Sequence, residues 1–102
     1  MHIQVKRSLA LAACFAGLLG APQIQASQWR DSGAVYEKVC GHCHDMGVGP
    51  VIKGRQLPVE YVRRVVRFGN RAMPAFRPSE INDAMLLDVA NMIHTSAAPA
   101  KK

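Results

Sequence analysis

Cys40-Gly41-His42-Cys43-His44 sets two thiols three positions apart and places an imidazole directly after the second. The pattern C-x-x-C-H is the attachment site of a c-type haem. At the end of a helix, thiols at this spacing reach the two vinyl groups on one porphyrin edge as thioethers. The adjacent His44 is then held under the iron as its fifth ligand. Two other chemistries use the same residue types. A dithiol oxidoreductase stabilises a thiolate at a helix N-terminus, with a strand before the motif and a helix after it. Here a helical pattern precedes the cysteines and a loop rich in Gly and Pro, 45–57, follows them. A structural zinc site needs four N/S ligands in tetrahedral closure, and Cys40, Cys43 and His44 with a distant His94 match the usual paired spacing poorly. Haem attachment is the reading that fits.

The opposite face of such an iron calls for a sixth ligand, and a methionine is expected. Met46 lies two residues from His44 and cannot swing to the far side, while Met85 and Met92 fall in an apolar helical stripe where packing explains them. Met73 sits in Arg71-Ala72-Met73-Pro74-Ala75-Phe76, and Pro74 disfavours helix at Met73, so the thioether is presented from an extended loop. The predicted ligand pair is therefore His44 and Met73. A ligating imidazole also needs an acceptor for its other N–H, and Gly49-Pro50 follows closely enough for the Pro50 carbonyl to serve. Lys53, Arg55, Trp29 and Tyr61 are of types that pair with haem propionates, though ordinary surface or core roles account for each. Methionine opposite histidine raises the potential of the iron and leaves no open position for a substrate. The expected chemistry is one-electron transfer.

These residues must be carried by a small domain. Of the 102 residues, 49% are hydrophobic and 20% charged, which describes one ordinary globular unit. Residues 1–26 read as a signal peptide: Lys6 and Arg7 precede an apolar run from Ser8 to Gly20, and Ile24-Gln25-Ala26 offers a cleavage point. The run, about thirteen residues against the roughly 20 a bilayer span needs, does not predict a membrane anchor. Leu11-Ala12-Ala13-Cys14 resembles a lipobox, but Phe15-Ala16-Gly17-Leu18-Leu19 continues the apolar run past it, so Cys14 reads as an ordinary signal-peptide residue. The mature chain is expected to be exported, soluble and periplasmic. Removing 26 of 102 residues leaves 76, a size at which side chains alone rarely build a sufficient core. With only Cys40 and Cys43 remaining, no disulfide framework supplies the difference, and haem would.

Loss of Lys6 and Arg7, with no acidic residue among the first 26, lowers the formal charge from +6 to +4. Arg63, Arg64, Arg67, Arg71 and Arg77 form the densest basic stretch, without a lysine-rich tail or interleaved aromatics, which disfavours a nucleic-acid partner. It reads either as a solvated face or as a docking surface for an acidic partner.

Three helices are predicted. Asp31 or Ser32 caps the first, which runs to about Cys40 with Val35, Tyr36 and Val39 on one face. Pro58 opens the second, 59–68, with Tyr61, Val62, Val65 and Phe68 inward, Arg63, Arg64 and Arg67 mostly outward, and Gly69 as its stop. The third is capped by Asn82, stapled by Ile81 and Leu86, striped by Leu86, Val89, Ala90 and Ile93, and ends near His94. No segment alternates long enough to predict a strand, so the fold class is all-α: a haem domain at 27–94 and a flexible tail at 95–102. Val35, Tyr36, Val51, Ile52, Leu57, Val65, Phe68, Phe76, Leu86 and Val89 are expected to close around the porphyrin.

With Cys40-Gly41-His42-Cys43-His44, Gly49-Pro50 and Met73-Pro74 in this order, the chain resembles class I cytochromes c of the small bacterial type over its whole mature length. The stretches Tyr36 to His44, Gly47-Val48-Gly49-Pro50-Val51 and Arg67-Phe68-Gly69-Asn70-Arg71-Ala72-Met73-Pro74-Ala75-Phe76 are similar to the cytochrome subunits of flavocytochromes of the 4-cresol dehydrogenase type and of related alkylphenol and eugenol hydroxylases. The loop Asp45-Met46-Gly47-Val48 is shorter than in that family. The resemblance implies three or four helices around one covalent haem c, held by Cys40, Cys43, His44 and Met73, in a subunit with no substrate site of its own. It implies a separate FAD-bearing subunit that oxidises a 4-alkylphenol to a quinone methide, which is then hydrated. Electrons would pass singly to this haem and onward to a blue copper protein or another cytochrome. The alternatives are a free-standing carrier of a respiratory chain and the haem subunit of another dehydrogenase.

Overall fold

The computed structural model describes residues 28–101, together with Gly17 and Gly20. The signal-peptide and lipobox expectations fall outside the described residues. Helix α1, Ser32–Val35, passes directly into a π-helical turn, Tyr36–Cys40, and then into α2, Gly41–His44; α3 is Val59–Phe68 and α4 is Asp83–Thr95. No strand occurs among the described residues. The backbone forms a single two-residue β-bridge there, between Asn70 and Met73.

Asp31 caps the first helix, its Oδ1 accepting the Ala34 N–H at 2.7 Å. The helix does not stop at Cys40 as the pattern predicts but continues to His44. The Gly41 N–H bonds to the Tyr36 carbonyl five residues back, so one extra residue is accommodated and α-helical bonding resumes. Two faces of the continuous segment 32–44 are thereby put to different uses. Val35, fully buried, and Tyr36 join the core, while Cys40 ends the turn and Cys43 and His44 lie beyond it.

Helix α4 matches its sequence pattern closely. Asn82 Oδ1 accepts the Met85 N–H at 2.8 Å, and Ile81 and Leu86, at staple spacing, are both buried. Met85, Leu86, Val89, Ala90 and Ile93 form the inward stripe, and the helix packs against both α1 and α3. Trp29 Nε1 and Gln28 Nε2 donate to the Glu80 carbonyl, tying the described N-terminal end to the turn before α4.

Helix α3 differs from expectation. Val62 and Val66, one turn apart, are the buried pair facing α4, whereas Tyr61 is half-exposed and Phe68 is 80% exposed. At about 100° per residue, positions 61, 65 and 68 make a second stripe beside that of 62 and 66, so the helix has two apolar faces rather than one. Of the residues expected to close around the porphyrin, Val51 is likewise exposed, and Ile52, Leu57, Val65 and Phe76 are half-buried. Beyond α4, Ser96 Oγ accepts the Gly54 N–H at 3.2 Å and His94 Nδ1 lies 2.9 Å from the Leu57 carbonyl. Gly54 has φ +75°, and a Cβ there would lie 2.3 Å from the Ala98 Cα, so the chain after α4 crosses this glycine in direct contact.

Candidate haem site

The C-x-x-C-H residues occupy the last turn of the continuous helix. Gly41 is buried within it because a side chain would meet the Asp45 carboxylate at 3.1 Å and the Tyr36 carbonyl at 3.2 Å. Both groups are in use: the Tyr36 hydroxyl donates to Asp45 Oδ1 at 2.7 Å, and burial together with that carboxylate pushes the phenol well above its ordinary pKa. The Lys53 ammonium sits 3.9 Å from the centroid of the same ring. Tyr36 therefore stands at the junction of the core, the motif and the following loop.

His44 has the orientation a metal ligand needs. Its Nδ1 is 2.7 Å from the Pro50 carbonyl, so Nδ1 carries the hydrogen as donor and Nε2 keeps its lone pair for a metal. The loop reaches this position because the Gly49 N–H bonds to the Cys43 carbonyl at 2.8 Å. Gly49 lies so close to the imidazole that a Cβ would come within 3.1 Å of Nδ1. Ring and loop thus fix each other.

Cys40 is half-buried and Cys43 exposed, and both are free thiols. Burial raises the Cys40 thiol to about 11. A dithiol nucleophile requires the opposite shift, produced at a helix N-terminus or beside a cation. The motif instead ends a helix, with no strand before it among the described residues. The zinc alternative has no geometry either: among the described residues no three His, Cys, Asp or Glu side chains converge to hold a metal ion, and His94 is turned to Leu57.

Met73 is half-buried and packs against the same hydrophobic cluster as Cys40. Its loop is closed by several bonds. Asn70 and Met73 exchange two backbone hydrogen bonds of 3.1 and 2.9 Å, with Arg71 in the left-handed region at φ +53°. Gly69, at φ +74°, ends α3, and a Cβ there would lie 2.9 Å from the Met73 carbonyl oxygen, so the loop folds back flush against it. The Phe76 N–H then bonds to Val66 O at 2.8 Å.

Between the Met73 loop and the outer stripe of α3 lies a cavity of about 550 Å³ lined by Tyr61, Arg64, Val65, Phe68, Gly69 and Asn70. An apolar wall beside the Met73 loop, with Cys40 and Met73 packed on one core and the His44 imidazole oriented by Pro50, fits a flat apolar macrocycle with a central metal. Of the residues considered for propionates, Trp29 bonds to Glu80, Lys53 sits on Tyr36, Arg55 Nη1 donates to the Val51 carbonyl at 3.3 Å, and Tyr61 lines the cavity.

Three participants escape the sequence pattern. Asp45 and the buried Gly41 belong to a contact that only the π-helical turn creates. Arg67, read as an outward arginine, has a side chain only 18% exposed; it donates to the Phe76 carbonyl at 3.1 Å and to Asp83 Oδ1 at 2.6 Å. Arg63, by contrast, makes only a surface pair with Glu60. The one available signal was the spacing of Arg67 to the Met73 loop, which does not say where the loop returns.

Comparison with known proteins identifies the family. Residues 27–93 match the family described as cytochrome C oxidase, cbb3-type, subunit III. The chain is 48% identical over 101 residues to the 4-cresol dehydrogenase [hydroxylating] cytochrome c subunit of Pseudomonas putida, covering 94% of this chain and 89% of the relative. It is similar to a crystal structure of p-cresol methylhydroxylase, with a TM-score of 0.64 and 49% identity, over 69% of this chain and 99% of that one. The same enzyme with substrate bound gives a TM-score of 0.64 and 49% identity over 72% of this chain and 100% of that one. The helical architecture is the small class I cytochrome c fold, and with it come covalently bound haem c and electron transfer. The chain belongs to the c-type cytochrome family that includes the cytochrome c subunit of 4-cresol dehydrogenase.

Proposed function

We propose that this chain is the electron-transfer subunit of a periplasmic flavocytochrome, receiving electrons one at a time from an FAD-containing subunit that oxidises 4-alkylphenols such as 4-cresol. The observation that carries the proposal is the 48% identity, over 94% of the chain, to a subunit of an enzyme of that name. Cys40 and Cys43 would hold the haem through thioethers, and His44 and Met73 would be the side chains offered to its iron. Bound there, haem c supplies reversible one-electron oxidation and reduction at iron. The Pro50 carbonyl holds His44 in the tautomer that leaves Nε2 basic. The half-buried Met73 and the stripe Tyr61, Val65, Phe68 would shield the iron from water. With His44 and Met73 both given to the iron, the subunit would have no substrate site of its own, and the hydroxylation would belong to the flavoprotein. The exposed side of the site, near Cys43 and the 72–76 loop, faces that partner, and a blue copper protein or another cytochrome takes the electrons onward.

Residues 1–26 serve as an export signal and 27–94 as the haem domain; the family match that begins at residue 27 supports this division. Among the described residues no helix is long and apolar enough to cross a membrane.

The test is isolation of the chain from periplasm with whatever accompanies it. A co-purifying flavin that bleaches on addition of 4-cresol, with concurrent reduction of the haem, is expected. A haem protein that elutes alone and is not reduced by flavoprotein and 4-cresol would refute the subunit reading and make it a free carrier.

A further inference from the structure

We propose that Arg67 is the positioning residue for the distal ligand: its guanidinium clamps the return of the Met73 loop to the start of α4 and thereby keeps the Met73 thioether on the iron. The inference rests on the reading of Met73 as ligand.

The loop 69–76 leaves α3 and returns to it. Its first half is fixed locally by the two-bond bridge between Asn70 and Met73 and by the flush contact of Gly69 with the Met73 carbonyl. Local bonds of this kind shape the loop without deciding how firmly it is pressed against the body of the protein. Pro74 contributes no N–H, and Ala75 is exposed. The return is made at Phe76, where both backbone groups are taken by α3: the N–H by the Val66 carbonyl and the carbonyl by Arg67 Nη1.

Arg67 alone adds a second arm. Nη2 donates to Asp83 Oδ1 at 2.6 Å, at the first turn of α4. One planar cation therefore joins the end of α3, the end of the methionine loop and the beginning of α4. Its side chain is only 18% exposed, so it is held in this geometry rather than sampling solvent. A guanidinium presents two donors in a rigid fork, which an ammonium cannot reproduce. Hydrogen bonds from a charged donor are the stronger kind, and losing one leaves the half-buried Phe76 carbonyl without that partner. The arrangement is thus a strut on the loop.

An iron–methionine bond at the end of such a loop is in equilibrium with an open form, and an external ligand reports the open fraction. Imidazole is the probe, added to the oxidised, haem-loaded chain. With Arg67→Met the haem stays covalently attached, and imidazole replaces the methionine with a dissociation constant about tenfold lower, because the open fraction rises by that factor. Asp83→Asn, which keeps Arg67 on Phe76 but removes the charge of its second partner, gives a smaller decrease. Arg67→Lys restores part of the parental value. Ile93→Ala, which weakens the core at the end of α4 remote from Asp83, leaves the imidazole affinity at the parental value and controls for general loss of stability.

The proposal is overturned if Arg67→Met, or, where that variant takes up no haem, both Asp83→Asn and Arg67→Lys, bind imidazole as the parent does. It is also overturned if Ile93→Ala shifts the affinity as much as the Arg67 change. Met73→Ala separates the two readings. If that protein keeps the weak methionine-to-iron absorption band at the red end of the oxidised spectrum, the ligand assignment fails. If it loses the band while the Arg67 variants behave as the parent, only the positioning role fails.

Discussion

The two sides of α3 are built on different terms. Its inner side, Val62 and Val66, meets α4 in a contact closed by protein alone, in which Val35, Leu86, Val89, Ala90 and Ile93 are at most 2% exposed. Its outer side, Tyr61, Val65 and Phe68, is just as apolar but faces a cavity, with the Met73 loop at one end. Hydrophobic burial is roughly proportional to the apolar area removed from water, so the inner side stabilises the fold by itself and the outer side does so only through what it covers. The contrast teaches that this small domain is half a core, designed around a prosthetic group that supplies the other half.

The sharpest break of that contrast is removal of the attachment chemistry. Cys40→Ser with Cys43→Ser should give a chain that retains little of the parental helical circular dichroism, because a domain this small with one closed interface falls short of what folds comfortably unaided. A haem-free chain with a cooperative thermal transition would show instead that the inner side suffices. Next in size is Leu86→Ala, expected to lower the stability of the loaded protein by about 2–5 kcal/mol in denaturant titration, as for any large buried side chain.

Phe68→Ala sharpens the comparison from the other side. By exposure it is a surface residue, for which a change within about 0.5 kcal/mol is the rule. If the outer stripe is covered by haem, the loss in the loaded protein is about 1–3 kcal/mol. A surface-sized effect would remove Phe68 from the haem wall.

The smallest effect is that of acid. Asp31, through the Ala34 N–H, and Asp83, through the Arg67 guanidinium, have carboxyl pKa values held below the ordinary value. A depressed native pKa contributes stability above the unfolded value and loses it as pH falls through the native one, so these two contributions disappear below about pH 4. Asp31→Asn together with Asp83→Asn should flatten the acid limb of a stability-against-pH curve slightly. An acid limb that does not change would assign the loss to other groups.

How much of this was legible in the sequence depended on whether a residue's neighbours are local. The Asn82 cap, the Ile81 and Leu86 staple and the stripe of α4 are set by spacings of three to five residues, and all appear as read. The bond between His44 and Pro50 spans six residues and was equally accessible. The two-faced α3 was not, because positions 61, 62, 65 and 68 satisfy one amphipathic pattern and only the placement of α4 selects 62 and 66. Arg67 was obscured for the same reason: among neighbouring arginines its charge advertises solvent, and its partners Phe76 and Asp83 lie nine and sixteen residues away. The alternation of Gly and Pro in 45–57 predicted a loop but not its attachment, through Gly54, to the segment after α4.

The π-helical turn Tyr36–Cys40 acts as a phasing element. In an unbroken α-helix each residue advances the side-chain direction by about 100°, so one additional residue re-aims everything after it without moving anything before it. Val35 can stay locked against α4 while Cys40, Cys43 and His44 take a bearing of their own. For protein engineering this makes the motif a cassette whose bearing is set upstream: shortening 37–39 by one residue would keep the helix and the ligands but swing the attachment face away from Met73.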